Sequence, residues 1–243
     1  MADLSGLTAL ITGAGGGIGV AMAETFASAG ARLALVDIKD CGGLAERLGP
    51  DNRSYIIDLA DPETIRAVVP QIGEEMGIDI LINNAGLGIV FAADDTQIDA
   101  WDRTLAINVR APWLTAAAAL PYLRASGRGR IVNIASQAGI VAIPEHAAYG
   151  ASKAALINLT KVLALEWAQY GITVNAISPT IVETPMALVG WSDEKGERAK
   201  KEIPVGRFAK PREIAAAAAF LASGDAAIVT GENLIADGGY TIR

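Results

Sequence analysis

The chain has 243 residues, 51% of them apolar, and a formal net charge of −7, which suits one large α/β domain with a sizeable core. With no uninterrupted basic run longer than Lys200–Lys201, most of its surface repels a polyanion, so nucleic acid is not an expected partner. A single cysteine, Cys41, excludes an internal disulfide and any cysteine-based metal cluster, and a single histidine leaves a zinc site only carboxylates, so no metal is expected.

No uncharged apolar stretch approaches the roughly 18 residues that a membrane span needs. The opening segment MADLSGLTAL has no basic region followed by a long apolar run. The expectation is a soluble, cytoplasmic protein with no membrane partner.

Leu7 to Thr12 is a short apolar run that leads directly into glycines, as a buried parallel strand entering a tight turn does. The turn reads Thr12-Gly13-Ala14-Gly15-Gly16-Gly17-Ile18-Gly19, and a segment of helical composition, Val20 to Ala29, follows and stops at Gly30. Glycine lets the backbone come close to a pyrophosphate, and a helix N-terminus offers free N–H groups. Gly13, Gly15, Gly17, Ile18 and Gly19 are therefore candidate cofactor positions. The common G-x-G-x-x-G pattern counted from Gly13 fails at Ile18; the spacing present is Gly13-x-x-x-Gly17-x-Gly19.

Arg32 to Asp37 is a second strand, and Asp37, with Ile38 beside it, stands where a ribose-binding acid belongs. Its carboxylate can accept from ribose hydroxyls and would repel a 2′-phosphate. No basic residue lies between Thr12 and Gly19, so NAD is expected rather than NADP, with Lys39 as the contrary sign. A third strand, Ser54 to Ile57, leads to Asp58 and Leu59, where the acid can bond an adenine amino group. Pro62 opens a helix over Glu63 to Glu75.

Ile78 to Ile82 is a fourth strand ending in Asn83-Asn84-Ala85-Gly86. Ligands of open α/β sheets bind outside such carboxyl ends, which makes Asn84, Ala85 and Gly86 candidates, although alone they would be an ordinary turn. Ile98 to Arg124 reads as one long helix with Asn108 near its middle, and Pro112 should free a carbonyl there that can hold a water.

Gly129 to Ala135 is the fifth strand and delivers Ser136. Tyr149 and Lys153, four residues apart, share a helix face, so the ammonium can lie near the phenol and favour phenolate. Taken alone, such a pair is more often a packed ring and a solvated tail. The helix runs to about Tyr170 and stops at Gly171. Ile172 to Ile177 is the sixth strand, with Pro179, Ile181, Val182 and Thr184 beyond its end. Met186 to Lys201 suits a movable lid or, equally, a plain surface helix. Arg212 to Ala222 is an alanine-rich helix, and Asn233 to Ala236 a last strand.

Strands alternating with helices throughout argue a doubly wound parallel sheet with one cofactor crevice. With Thr12–Gly19, Asn83–Gly86, Asn108, Ser136, Tyr149, Lys153, Ser178–Pro179 and Asp237–Gly239 in order, the sequence resembles the short-chain dehydrogenase/reductase family over its whole length. The resemblance implies a single-domain, seven-stranded Rossmann fold, α/β in class, with a cofactor half at about 1–135 and a catalytic half at 136–243 that includes a lid at 185–203. It also implies a nicotinamide cofactor, usually in a homotetramer. By that resemblance Tyr149 is the general base and acid, and Ser136 bonds the substrate oxygen. Lys153 lowers the tyrosine pKa and holds the nicotinamide ribose, and Asn108 supports a water. One departure is Ser178-Pro179-Thr180, where many members carry Pro-Gly.

Within the family, SPTIVETPM, WSDEKG, IPVGRFAKP and DGGYTI look similar to bacterial polyol dehydrogenases acting on tetritols and pentitols. The expectation is NAD-dependent oxidation of a small sugar alcohol, with Gln137, Glu145, His146, Met186 and Trp191 joining Ser136 and Tyr149 around the substrate. A 3-oxoacyl or general carbonyl reductase, or a dinucleotide sensor without chemistry, stays open as an alternative.

Overall fold

The computed structural model describes residues 2–191 and 193–243, without the side chains of Met186, Val189 and Asp193; the substrate contact expected of Met186 thus lies outside the described residues. Seven parallel strands, β1 (Thr8–Thr12), β2 (Arg32–Asp37), β3 (Arg53–Ile56), β4 (Ile80–Asn83), β5 (Arg130–Ile134), β6 (Thr173–Pro179) and β7 (Asn233–Ala236), form one sheet in the order β3-β2-β1-β4-β5-β6-β7. The helices are α1 (Gly17–Ser28), α2 (Gly42–Leu48), α3 (Pro62–Met76), α4 (Ile98–Leu105), α5 (Ala111–Ser126), α6 (Ala147–Trp167), α7 (Pro185–Gly190), α8 (Asp193–Glu202) and α9 (Pro211–Ala222).

The central strands are buried on both faces, and the two-residue period decides which side chain goes where. Ala9, Ile11, Leu33, Leu35, Ile80, Ile82, Val132 and Ile134 pack with Met22 and Phe26 of α1 and Ile214, Ala215 and Ala218 of α9. Their neighbours Leu10, Ala34, Val36, Leu81 and Ile131 point the other way, against Ile65 and Val69 of α3, Leu114 and Leu123 of α5, and Leu163 and Trp167 of α6. A one-residue slip in any of these strands would exchange the two sets, so the register is strongly specified.

β1 lies between β2 and β4, so the connections leave it in opposite directions and open a crevice at the carboxyl ends of β1 and β4. That point carries Gly13 and Asn84.

The structure differs from the sequence expectation in three places. α2 was not anticipated; it is seven residues long and buries only Ala45, too little for a periodic signal. The long helix expected over Ile98–Arg124 is interrupted by a π-helical turn, Ala106–Arg110, in which the Ala111 N–H reaches back to the Ala106 carbonyl. Pro112, which has no N–H to give the Asn108 carbonyl, is the local cause. The segment over Met186–Lys201 is two helices, α7 and α8, rather than one.

Candidate active site

The glycine turn after β1 has no room for a side chain at Gly13, Gly17 or Gly19. Gly13 has φ +65, and a Cβ there would lie 2.8 Å from the Ala85 Cα; one on Gly17 would lie 2.8 Å from the Thr184 Cγ2; one on Gly19 would strike the Gly13 carbonyl oxygen. Asn84 braces the turn, its amide nitrogen donating to the carbonyls of Thr12 and Gly13 at 3.0 Å each, while the Thr12 hydroxyl accepts from Asn84 N at 3.0 Å and Ala85 N at 3.1 Å. Gly16, the residue before α1, offers no side chain to cap the first N–H groups of that helix. Asp37 ends β2 with its carboxylate against the turn, accepting from Gly15 N at 3.0 Å and Lys39 N at 3.1 Å. Ile38 is exposed beside it, and Asp58, with Leu59 next to it, stands exposed beyond β3 and accepts from Ala60 N at 2.9 Å. Backbone laid bare by glycine, an uncapped helix start and a carboxylate at the ribose position fit the diphosphate and adenosine end of a dinucleotide. Among the described residues no cluster of His, Cys, Asp or Glu could hold a metal ion.

The second group gathers where β5 meets α6. Ser136 follows β5 in extended conformation, with its hydroxyl accepting from Ala138 N at 3.1 Å. Burial pushes the Tyr149 phenol above its ordinary value, and a hydrogen bond with Ser136 acts in the opposite direction. Lys153 is buried in α6, 5.6 Å from the Tyr149 ring centroid, and its Nζ donates to the Ile134 carbonyl at 2.7 Å. Burial pulls its pKa down to about 8. Of the two influences on the phenol, burial is the larger and the Ser136 hydrogen bond the smaller.

Asn108 is fully buried in the π turn. Its Oδ1 accepts from Leu87 N at 2.8 Å, and its Nδ2 donates to Leu87 O at 2.9 Å and to the Ser152 hydroxyl at 3.0 Å. Ser152 in turn donates to the Tyr149 carbonyl at 2.7 Å, so Asn108 ties the loop after β4 to the first turns of α6. Both Nδ2 hydrogens are thereby used, while Pro112, four residues on, has no N–H to offer the Asn108 backbone carbonyl. Gly86 lies beside this group: a Cβ there would sit 3.4 Å from the Lys153 Nζ and 3.6 Å from the Asn108 Oδ1.

Both groups border one cleft of 840 Å³. Ile18, Asn84, Gly86, Ser136, Gln137, Glu145, His146, Tyr149, Lys153, Pro179, Ile181, Val182, Thr184 and Trp191 all line it; of the other expected site residues, Gly13, Gly15, Gly17, Gly19, Asp37, Ile38, Asp58, Leu59, Ala85 and Asn108 are not among its walls. His146 stands edge-on to Tyr149 with ring centroids 5.9 Å apart. Its Nδ1 lies 2.6 Å from the Pro144 carbonyl; since a carbonyl can only accept, Nδ1 is the nitrogen that carries a proton. Glu145, at φ 68, is the one non-glycine with positive φ among the described residues, and its carbonyl accepts from Phe91 N at 3.0 Å. Trp191 packs edge-on against Phe208 at the mouth.

Over residues 13–241 the chain matches the family model described as enoyl-(acyl carrier protein) reductase. The chain belongs to the short-chain dehydrogenase/reductase family. Among curated relatives in that family, an NAD-dependent glycerol dehydrogenase of Listeria innocua is 45% identical, covering 99% of this chain and 96% of its own length. A D-threitol dehydrogenase of Mycolicibacterium smegmatis is 46% identical over 99% and 95%. Among solved structures, a proposed NAD(P)-dependent gluconate 5-dehydrogenase from Beutenbergia cavernae with NADP bound at low occupancy superimposes with a TM-score of 0.95 at 36% identity, covering 99% of both chains.

Sequence reasoning missed several cleft residues of this family member. Thr180, Lys195, Arg198 and Tyr240 also line the cleft. Ser152, the link between Asn108 and α6, carried no motif of its own; its position three residues after Tyr149 was the only available signal.

Proposed function

We propose that this protein is an NAD-dependent dehydrogenase that oxidises a secondary hydroxyl of a small sugar alcohol to a ketone. The observation that carries this reading is that Ser136, Tyr149 and Lys153 line one cleft together with Ile18 of the glycine turn and with Asn84, which braces that turn. The names of the two most identical relatives reported above support the polyol class and NAD.

Gly13, Gly15, Gly17, Ile18 and Gly19 would hold the diphosphate, Asp37, Ile38, Asp58 and Leu59 the adenosine end, and Asn84, Ala85, Gly86, Pro179, Ile181, Val182 and Thr184 the nicotinamide end. NAD⁺, when bound, supplies the acceptor for the hydride from the carbinol carbon and a positive ring beside the phenol. Ser136 orients the substrate oxygen, and Tyr149 as phenolate takes the hydroxyl proton as the C=O bond forms. Lys153, anchored at the Ile134 carbonyl, holds the nicotinamide ribose and adds its charge to the stabilisation of phenolate. Asn108 steadies the π turn and, through its backbone carbonyl, a water on the proton's way out. Residues 1–135 form the cofactor half and 136–243 the catalytic half; 185–203 forms a lid over Gln137, Glu145, His146 and Trp191. The protein acts in the cytoplasm as a homotetramer.

The test is NADH formation, followed at 340 nm, with C4 to C6 polyols and either NAD or NADP. Turnover with NAD on at least one polyol, and far less with NADP, is expected. A preference for NADP, which the Asp37 carboxylate opposes, would instead favour a carbonyl reductase, the class named by the family model. Silence on all polyols, alcohols and ketones would leave a sensor.

A further inference from the structure

The lid face of the cleft carries charge that a neutral polyol does not need. Lys195, Arg198, Ala199 and Glu202 all line the cleft from α8, at i, i+3, i+4 and i+7 on one helix face. Glu202 pairs with Arg243 at 3.0 Å, and Glu197 with Lys200 at 2.7 Å, the Lys200 Nζ also lying 5.4 Å from the Phe208 ring centroid. Lys195 and Arg198 have no ion-pair partner among the described residues; the Lys195 Nζ rests 4.9 Å from the Trp191 ring centroid. On the opposite wall the charged groups are Glu145 and Lys153, and the latter is committed to the Ile134 carbonyl.

The ordinary reading of two cations on an amphipathic helix is a solvated face. Here, however, they stand on the face turned to the cleft, in a molecule whose formal net charge is −7. Both residues are exposed to solvent while lining the cleft; the acidic protein repels anions at a distance, so the two cations act on an oxyanion only at short range. A guanidinium and an ammonium one turn apart suit an oxyanion, which they can grip with two or more charge-assisted hydrogen bonds.

We propose that the cleft takes a short polyhydroxylated substrate with an anionic end, either a sugar acid or a sugar-alcohol phosphate, whose terminal oxyanion is received by Lys195 and Arg198 while a secondary hydroxyl faces Tyr149. This rests on the dehydrogenase reading and narrows its substrate class. Lys195 and Arg198 are specificity residues, not members of the reacting set.

The experiment compares kcat/KM for threitol, threonate and erythritol 4-phosphate in the wild type and in Lys195→Met, Arg198→Met and the double variant, with circular dichroism to confirm folding. In the wild type at least one anion should exceed threitol about tenfold, and the advantage should shrink as salt rises from about 0.01 to about 0.5 M. The carboxylate and phosphate arms identify the anion. Each single variant should lower the anion-to-threitol ratio about threefold and the double variant about tenfold, the range for solvent-accessible ion pairs. Threitol preferred over both anions, or a ratio that the double variant leaves unchanged, overturns the proposal. Should none of the three be turned over, calorimetric binding of threonate and of erythritol 4-phosphate to the protein with NADH decides separately: binding lost in the double variant upholds the anion site and removes the oxidation, and binding of neither anion removes the site.

Discussion

At the residue scale the proposed chemistry depends on a half-buried phenol and a buried ammonium, both of which desolvation pushes toward neutrality. The Tyr149 phenol is raised and the Lys153 ammonium lowered to about 8. If Tyr149 is the proton acceptor, Tyr149→Phe should lower kcat by about 10²–10⁴-fold, the usual range for a lost general base, without unfolding the chain. Retention of more than about a hundredth of wild-type turnover would remove that role. Lys153 also makes a statement about stability. An unfolded lysine titrates near 10.5 and the folded one near 8, so between those values the unfolded chain binds more protons and wild-type stability rises with pH. Below about pH 8 the cost of burying the charged ammonium is borne in full. Lys153→Met carries no such cost, although it leaves the Ile134 carbonyl without its partner at every pH. The Tm of the variant minus that of the wild type should therefore be largest near pH 7 and fall toward pH 9.5. A difference that stays level or grows across that window contradicts the burial argument.

Elements decide where those residues stand, and here close approach counts for more than propensity. Gly13 and Gly127 both have positive φ, +65 and +68, but a Cβ on Gly127 meets nothing within 4 Å, whereas one on Gly13 meets the Ala85 Cα at 2.8 Å and the Asn84 Nδ2 at 3.0 Å. Gly127→Ala should cost about 1–2 kcal/mol, the left-handed penalty alone. Gly13→Ala adds the separation of β1 from the end of β4, so it should cost about 1–3 kcal/mol more and raise the KM for NAD. Equal melting shifts in the two variants would show that the turn yields. The same elements show what sequence reasoning can reach. The strands were legible because Ala9–Leu10–Ile11 and Leu33–Ala34–Leu35–Val36 are apolar at every position, and the turn because glycine recurs where backbone must meet backbone. That Tyr149 and Lys153 share one face of α6 was legible from their spacing, whereas the roles expected of them came from the family resemblance. The π turn was half legible: Pro112 signalled a disturbed helix, but one missing N–H does not specify how the ladder is rebuilt. α2 was not legible, with one buried residue in seven. Lys195 and Arg198 read as part of a charged run, because which face of α8 meets the cleft depends on how that helix packs and not on its own sequence.

For the whole molecule, the question is what covers the apolar surface left outside. Alanine runs at 116–119 and 215–219 contribute little to it, since Ala116, Ala119, Ala215, Ala218 and Ala219 are core residues of the single chain. Other apolar side chains are exposed, and ten of them fall into two groups. Ile98 and Trp101 of α4, Trp113 of α5, and Val162 and Leu165 of α6 lie on the outer side of the helices, Leu165 being 82% exposed. Phe220 of α9, Ile228, Leu234 and Ile235 of β7, and Ile242 lie toward the β7 edge, Ile228 being 94% exposed. Single exposed apolar residues are ordinary, but concentrations of this kind, one of them at an unpaired sheet edge, call for a partner. Two such surfaces on one chain, each meeting its own copy about a two-fold axis, close into a tetramer of dihedral symmetry, whereas one surface closes into a dimer. The wild type should thus scatter light as a tetramer. Leu165→Asp should leave dimers held through the β7 edge, Ile228→Asp dimers held through the helices, and the double variant monomers. A wild-type monomer, or a tetramer untouched by both charges, would mean that these surfaces serve some other contact.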